Sequence, residues 1–233
     1  NDCHFVTFES YATNLIPDDT NEEKDIFLHN VDSGETIRVS KASDGSEAND
    51  RSFSSAISGN GRYVAFASFA DNLVEGDTNE IADTFIHDNE TGNTIRLSDK
   101  GSTIDLNISN DGRFVSGSYY GEGYFHWSQP EAAFWFVKTR KKEVLARYIS
   151  FVRSMTAEGS YTSFDTWSSL VNDDTNVFCP HPHHQLYDVN CPDIYLYHRE
   201  SGKIERVSLA YDGSEPNDKS TGSSLSAHAR YLA

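Results

Sequence analysis

Long apolar runs are missing from this sequence. No stretch approaches the roughly 18 apolar residues of a membrane-spanning helix, which excludes that class of protein. Basic residues are few: 19 Lys and Arg stand against 36 Asp and Glu, a formal net charge of −17. Nucleic-acid phosphates need a basic surface, so that class of partner is excluded too. With one methionine and no 3.6-residue apolar stripe, the sequence does not support a helical bundle or solenoid. Short catalytic signatures are also lacking: no G-x-S-x-G elbow, H-E-x-x-H pair, P-loop or C-x-x-C-H motif occurs. Neither an initiating Met nor a signal peptide is legible, as expected of a mature or excised product.

What is present is a repeat. The segment from Phe5, FVTFESYATNLIPDDTNEEKDIFLHNVDSGETIRVS, aligns with YVAFASFADNLVEGDTNEIADTFIHDNETGNTIRLS from Tyr63. Asn14, Asp19, Gly34 and Arg38 fall on Asn72, Asp77, Gly92 and Arg96, each 58 positions on. A third copy starts at Tyr161 and resumes at Asp193 after an insertion. A degenerate copy starts at Phe114 and lacks the D-T-N element. Both chain ends align with the middle of the junction between copies.

Each unit shows four short stretches of strand character. In the second they are YVAFAS, DTFIHD, NTIRLS and the NISNDG region leading into the next copy. β-Branched and aromatic residues bounded by Gly, Asp and Asn specify strands and tight turns. The expected fold class is therefore all-β: a β-propeller of four-stranded antiparallel blades, with four nearly complete repeats in one domain. Approximate blades are 5–62, 63–113, 114–160 and 161–230.

The strings ISGNGRYVAFAS, SNDGRFVSGS and DIFLHNVDSGETIRVS resemble the WD40-like repeats of the TolB family, in a variant with D-T-N loops found in large bacterial extracellular proteins. The resemblance covers nearly the whole chain and is weakest over 114–156. It implies a propeller used for protein binding or scaffolding. It implies no activity, since one fold carries many functions.

Three features carry candidate chemistry. The first is the D-T-N-x-x-x-D loop: Asp19, Asn21 and Asp25, then Asp77, Asn79 and Asp83, then Asp174, Asn176 and, after the insertion, Asp193. Closely spaced side-chain oxygens on a short loop suit Ca²⁺, which takes six to eight of them. The same residues also cap turns through their own backbone with no ion bound. Both readings stand. DGSEAND (Asp44, Glu47, Asp50) and DGSEPND (Asp212, Glu215, Asp218) should lie on the same rim and make it acidic.

The second feature is the insertion at 177–192, where Cys179 and Cys191 are spaced for a disulfide. It carries His181, His183, His184 and Tyr187, without the usual spacing of a zinc site. It reads as a disulfide-closed loop that contacts a partner. The third is the aromatic set Tyr119, Tyr120, Tyr124, Phe125, Trp127, Phe134 and Trp135, expected to fill the core between sheets. Glu122, Glu131 and Asp165 are candidates for a central channel, but read rather as solvated loop carboxylates.

These features fit a non-enzymatic, secreted or periplasmic propeller module for protein binding, scaffolding or self-assembly, with calcium as a stabilising ion. Two alternatives are a carbohydrate-binding propeller and the propeller portion of a hydrolase or peptidase.

Overall fold

The computed structural model describes residues 4–98, 101–121, 130–147, 150–175 and 191–233, and among them the chain forms only strands, turns and loops. The first sheet contains β1 (Phe5–Ser10), β2 (Asp25–Asn30) and β3 (Thr36–Arg38). The second contains β4 (Ser52–Ile57), β5 (Tyr63–Ser68), β6 (Asp83–Asp88) and β7 (Asn93–Arg96). β8 (Ser102–Ile108), β9 (Phe114–Tyr120), β10 (Glu131–Phe136) and β11 (Lys141–Ala146) form the third. The fourth is β12 (Ser150–Met155), β13 (Tyr161–Thr166), β14 (Asp193–His198) and β15 (Lys203–Arg206). Every sheet is antiparallel with strands in chain order, and the four do not close on one another.

Repeat and sheet are out of phase by one strand. The sequence units open at β1, β5, β9 and β13, yet β4 pairs with β5, β8 with β9 and β12 with β13. The last strand of each unit therefore becomes the first strand of the next sheet, which ties adjacent sheets covalently. That strand also lies earlier than its sequence suggests. The stretch placed over NISNDG is β8, and Ser109 to Gly112 form the turn after it.

Side-chain chemistry explains the turn. Ser109 Oγ accepts from the Phe114 amide at 3.1 Å and donates to Asp111 Oδ1 at 2.8 Å. Ser58 and Asn60 repeat the arrangement before Tyr63. The glycine that follows has φ +74° at Gly61, +72° at Gly112 and +65° at Gly159. A Cβ on Gly61 would lie 2.6 Å from the Phe5 ring, and one on Gly112 2.1 Å from that of Tyr63. Only glycine gives both the backbone conformation and the space for the ring.

Core clusters lie between consecutive sheets. Ile26, Leu28 and Val39 of the first pack on Val64, Phe66 and Phe85 of the second. Ala65, Ile86 and Leu97 then meet Val115, Tyr119 and Trp135 of the third. Phe114, Phe134 and Leu145 meet Val152, Phe164 and Tyr195 of the fourth. Within the sheets one cross-strand ring pair recurs: Phe8–Phe27 at 5.7 Å, Phe66–Phe85 at 5.8 Å and Phe164–Tyr195 at 5.9 Å. The degenerate unit places Gly117 opposite Ala133 at that position. A Cβ on Gly117 would meet the Thr103 methyl at 2.3 Å, so β8 packs closer there. Its aromatic residues occupy neighbouring positions instead. Tyr119, Phe134 and Trp135 are buried as expected, while Tyr124, Phe125 and Trp127 lie outside the described residues.

Candidate functional site

The D-T-N loops form three nodes on one rim. In the first, Asp19 and Asp25 converge on Arg38, whose Nη1 lies 3.2 Å from Asp19 Oδ1 and 3.3 Å from Asp25 Oδ2. Glu47, from the loop joining β3 to β4, approaches the same nitrogen at 2.7 Å. Its carboxylate accepts from both the amide and the hydroxyl of Thr20. Asn21 Nδ2 donates to Asp25 Oδ2 and to Ala48 O, each at 2.9 Å. Ser40 Oγ donates to Asp25 Oδ1 at 2.5 Å and accepts from the Ile26 amide. The expected shared rim of the D-T-N and DGSEAND loops is therefore present.

The second node repeats this geometry with fewer acids. Arg96 Nη1 lies 2.8 Å from Asp77 Oδ1 and 3.1 Å from Asp83 Oδ2. Asn79 Nδ2 donates to Asp83 at 3.0 Å. Ser98 Oγ donates to Gly101 O rather than to the aspartate. Burial pushes the Asp83 carboxyl up to about 6 and also raises Asp77, with Arg96 opposing both. Burial raises Asp19 in the same way. Glu47 is lowered: burial pushes it upward, but the Thr20 hydrogen bonds and Arg38 together outweigh that.

In the third node Arg206 Nη1 lies 2.8 Å from Glu215 and 3.7 Å from Asp193. Its Nη2 reaches Asp173 at 3.2 Å. Tyr195 donates its hydroxyl to Asp174 Oδ2 at 2.7 Å, leaving Asp174 Oδ1 buried without a hydrogen-bond partner. Thr175 donates to Glu215 as Thr20 does to Glu47. Single carboxylate oxygens of Asp174, Asp193 and Glu215 all lie within 4.8 Å of one another.

Of the residues assigned to cation binding, Asp19 and Asp25 thus meet at Arg38 and Asp77 and Asp83 at Arg96, whereas in the third node Asp193 pairs with Arg206 and Asp174 is held by Tyr195. The arginines and the serines Ser40, Ser98 and Ser208 were not part of the sequence assignment. Their signal was available: arginine follows the strand aspartate by 13 residues and serine by 15 in three repeats. Arginine presents five N–H donors and no acceptor, so it neutralises and orients several carboxylates at once.

Asn176, Cys179, His181, His183, His184 and Tyr187 lie outside the described residues, whereas Cys191 is buried immediately before β14. Two carboxylates read as solvated are corrected. Asp165 is a β13 residue, 1% exposed, held by two bonds from Arg153. It faces a neighbouring strand rather than a loop, and only the guanidinium makes its burial tolerable. Glu131 opens β10 and pairs with Arg147.

No protein-family profile matches the chain, and no curated protein matches it by sequence. Among solved structures, TolB from Acinetobacter baumannii superposes with a TM-score of 0.52 at 14% identity, over 90% of this chain and 42% of that one. The fold is TolB-like. The β-propeller domain of the Trilobed protease from Pyrococcus furiosus gives 0.50 at 13% identity, over 89% of this chain and 54% of that one. Acylaminoacyl peptidase from Pyrococcus horikoshii gives 0.50 at 14%, over 88% and 30%. The chain thus spans about half or less of the length of these TolB-like and propeller-bearing proteins, and at such identities the likeness concerns fold alone. Among the described residues no helix is long and apolar enough to cross a membrane.

Proposed function

We propose that this chain is a non-enzymatic propeller module that binds a basic protein partner outside the reducing cytoplasm, through the rim carrying the three nodes. One observation carries the reading. The nodes commit their buried carboxylates to arginine and thereby hold the rim loops in place, while Asp18, Asp44, Asp50, Asp71 and Glu75 remain exposed around them. A rigid acidic face favours a basic partner in encounter rate and in register. The resemblance of the D-T-N repeats to those of bacterial extracellular proteins supports an extracellular or periplasmic setting.

Calcium enters this reading at the third node. There carboxylate oxygens of Asp174, Asp193 and Glu215 lie within 4.8 Å of one another, Arg206 pairs with only the last two of these, and among the described residues Asp174 Oδ1 has no hydrogen-bond partner. In this reading a disulfide between Cys179 and Cys191 closes the insertion, and its residues His181, His183, His184 and Tyr187 serve as a second contact region.

Cross-linking of the tagged chain in extracellular and periplasmic fractions of its source tests the reading. Capture of a basic protein is expected, with loss of capture when Asp44, Asp50 and Asp71 are changed to Lys. Equal capture by the reversed variant overturns it. The likeness to peptidase propellers motivates a second reading, the propeller portion of a hydrolase. A catalytic domain encoded in the same gene would decide for it.

A further inference from the structure

A crevice of about 190 Å³ opens between the first and second sheets. It lies at the Asn30 end of β2, whereas the node lies at the Asp25 end, about 17 Å away at the rise of a β-strand. Phe5, Leu28 and Ile37 supply apolar lining, and Asn30, Glu35 and Asn89 supply polar lining. Among the described residues no basic side chain lines it. Asn89 Nδ2 donates to Gly61 O at 2.9 Å, and Asn89 Oδ1 is buried with no hydrogen-bond partner. A buried acceptor left unpaired is costly, so it favours a ligand that brings an N–H or O–H donor.

The same site is filled from within at the interface of the third and fourth sheets. Arg199 holds the position of Asn89 in the repeat, and its Nε donates to Gly159 O at 2.9 Å as Asn89 Nδ2 does to Gly61 O. Its guanidinium lies 4.4 Å from the ring centroid of Phe114, the counterpart of Phe5. Phe134 and Phe136 pack against Phe114 at 5.6 and 5.7 Å and take up the remaining space. Between the second and third sheets a crevice of about 200 Å³ remains, but the Arg62 guanidinium already lies 4.9 Å from the Tyr63 centroid. Among the described residues the ring of Phe5 is the one of these three with no cation stacked over it. Its preceding residue is His4, where the later copies have Arg62 and Arg113.

We infer that the crevice at Phe5 is a binding site for an arginine side chain of the partner, seated as Arg199 is seated on Phe114. The aliphatic stem packs on Leu28 and Ile37, the guanidinium stacks on Phe5, and its N–H groups satisfy Asn89 Oδ1, with the Glu35 carboxylate adding attraction. The volume is below that of drug-sized pockets and suits one side chain. The chain's excess of negative charge favours the same ligand. This inference deepens the proposed binding of a basic protein and rests on it for the identity of the partner class.

Titrating the ¹⁵N-labelled chain with N-acetyl-arginine methylamide and following amide shifts tests it. Saturable shifts confined to residues around Phe5, Leu28, Ile37 and Asn89 are expected. The citrulline analogue keeps the shape without the charge and should bind about tenfold more weakly or worse. Asn89→Arg supplies the internal cation and should abolish binding. Leu28→Phe, which copies Phe134, should do the same by filling the space. The inference is overturned by absent shifts, by shifts spread over the rim at Asp44 and Asp71, or by equal binding of citrulline or of a methyl glycoside. Undiminished binding to both variants also overturns it. Absence of this binding in the unmodified chain, with partner capture through the rim intact, sinks the inference and leaves the proposed function standing.

Discussion

Asp25 and Arg38 lie 13 residues apart in the chain and 3.3 Å apart at their charged groups, with the side chain of Asp25 fully buried. Asp83 and Arg96 reproduce the pair at 3.1 Å with the same separation. The pair links the start of the second strand of the repeat to the end of the third and closes the base of the D-T-N loop. Each node is thus first an element of the fold, and only second a surface.

Removing the guanidinium strands buried carboxylates. Arg38→Met is expected to destabilise the chain by about 3–5 kcal/mol, because an uncompensated buried charge is far worse than a lost contact. Arg38→Lys should recover only part of this, since one ammonium does not replace the planar fork. Urea unfolding of both variants, with Asp25→Asn added to Arg38→Met, checks the origin. Partial recovery by the added neutralisation is expected, and none would show that packing alone was lost.

A second prediction concerns pH. His87 is fully buried; Nδ1 bonds Thr94 Oγ1 at 2.8 Å, and Thr94 donates in turn to Lys41 O. Nδ1 therefore carries the proton, and burial, aided by the positive charge of Lys41, pushes the imidazole down to about 4. Between about 4 and 6.5 the unfolded chain binds the extra proton, so this group's contribution falls as pH drops through that window, by on the order of 3 kcal/mol. Asp83, raised to about 6, acts oppositely: the folded state holds the proton between its ordinary value and 6, adding stability as pH falls. His87→Gln should flatten the acid loss in denaturant midpoints between pH 7 and pH 5, and Asp83→Asn should steepen it.

The junction turns give a third prediction. Gly112→Ala meets both a φ of +72° and the Tyr63 ring, and should cost more than about 1 kcal/mol. Ala229 holds the equivalent place in the last junction with φ +53°. Ala229→Gly should therefore stabilise that turn, by up to about 1 kcal/mol. Opposite signs in thermal melts are the expected outcome.

Calcium provides a fourth. If the third node binds the ion, a melt in millimolar Ca²⁺ should exceed one in chelator, and Asp174→Asn should remove the difference. Identical melting temperatures would exclude calcium as a stabilising ligand.

Much of this was legible in the residues. Alternating strands, the Ser-x-Asn/Asp-Gly-Arg junction and the D-T-N loop are local devices, so their repetition specifies strands, turns and the relation between copies. β5, β6 and β7 fall where YVAFAS, DTFIHD and NTIRLS place them. What sequence spacing did not reveal was which partner each carboxylate meets. Arg38, Arg96 and Arg206 were legible as repeated residues but not as the centres of acidic nodes, because three chain segments must converge before the charges face one another. Asp165 was misplaced for the same reason, its Arg153 lying on a neighbouring strand.

By itself, then, the sequence determined an all-β repeat with acidic loops on one rim, because strand period and turn chemistry act over a few residues. Only the tertiary structure decided that sheets and repeats are offset by one strand, that arginine occupies the acidic nodes, and that the crevice at Phe5 stays open while Arg199 and Phe136 fill its counterpart. Those outcomes depend on packing between residues distant in the chain, where volume and charge must balance across a sheet interface rather than along a strand.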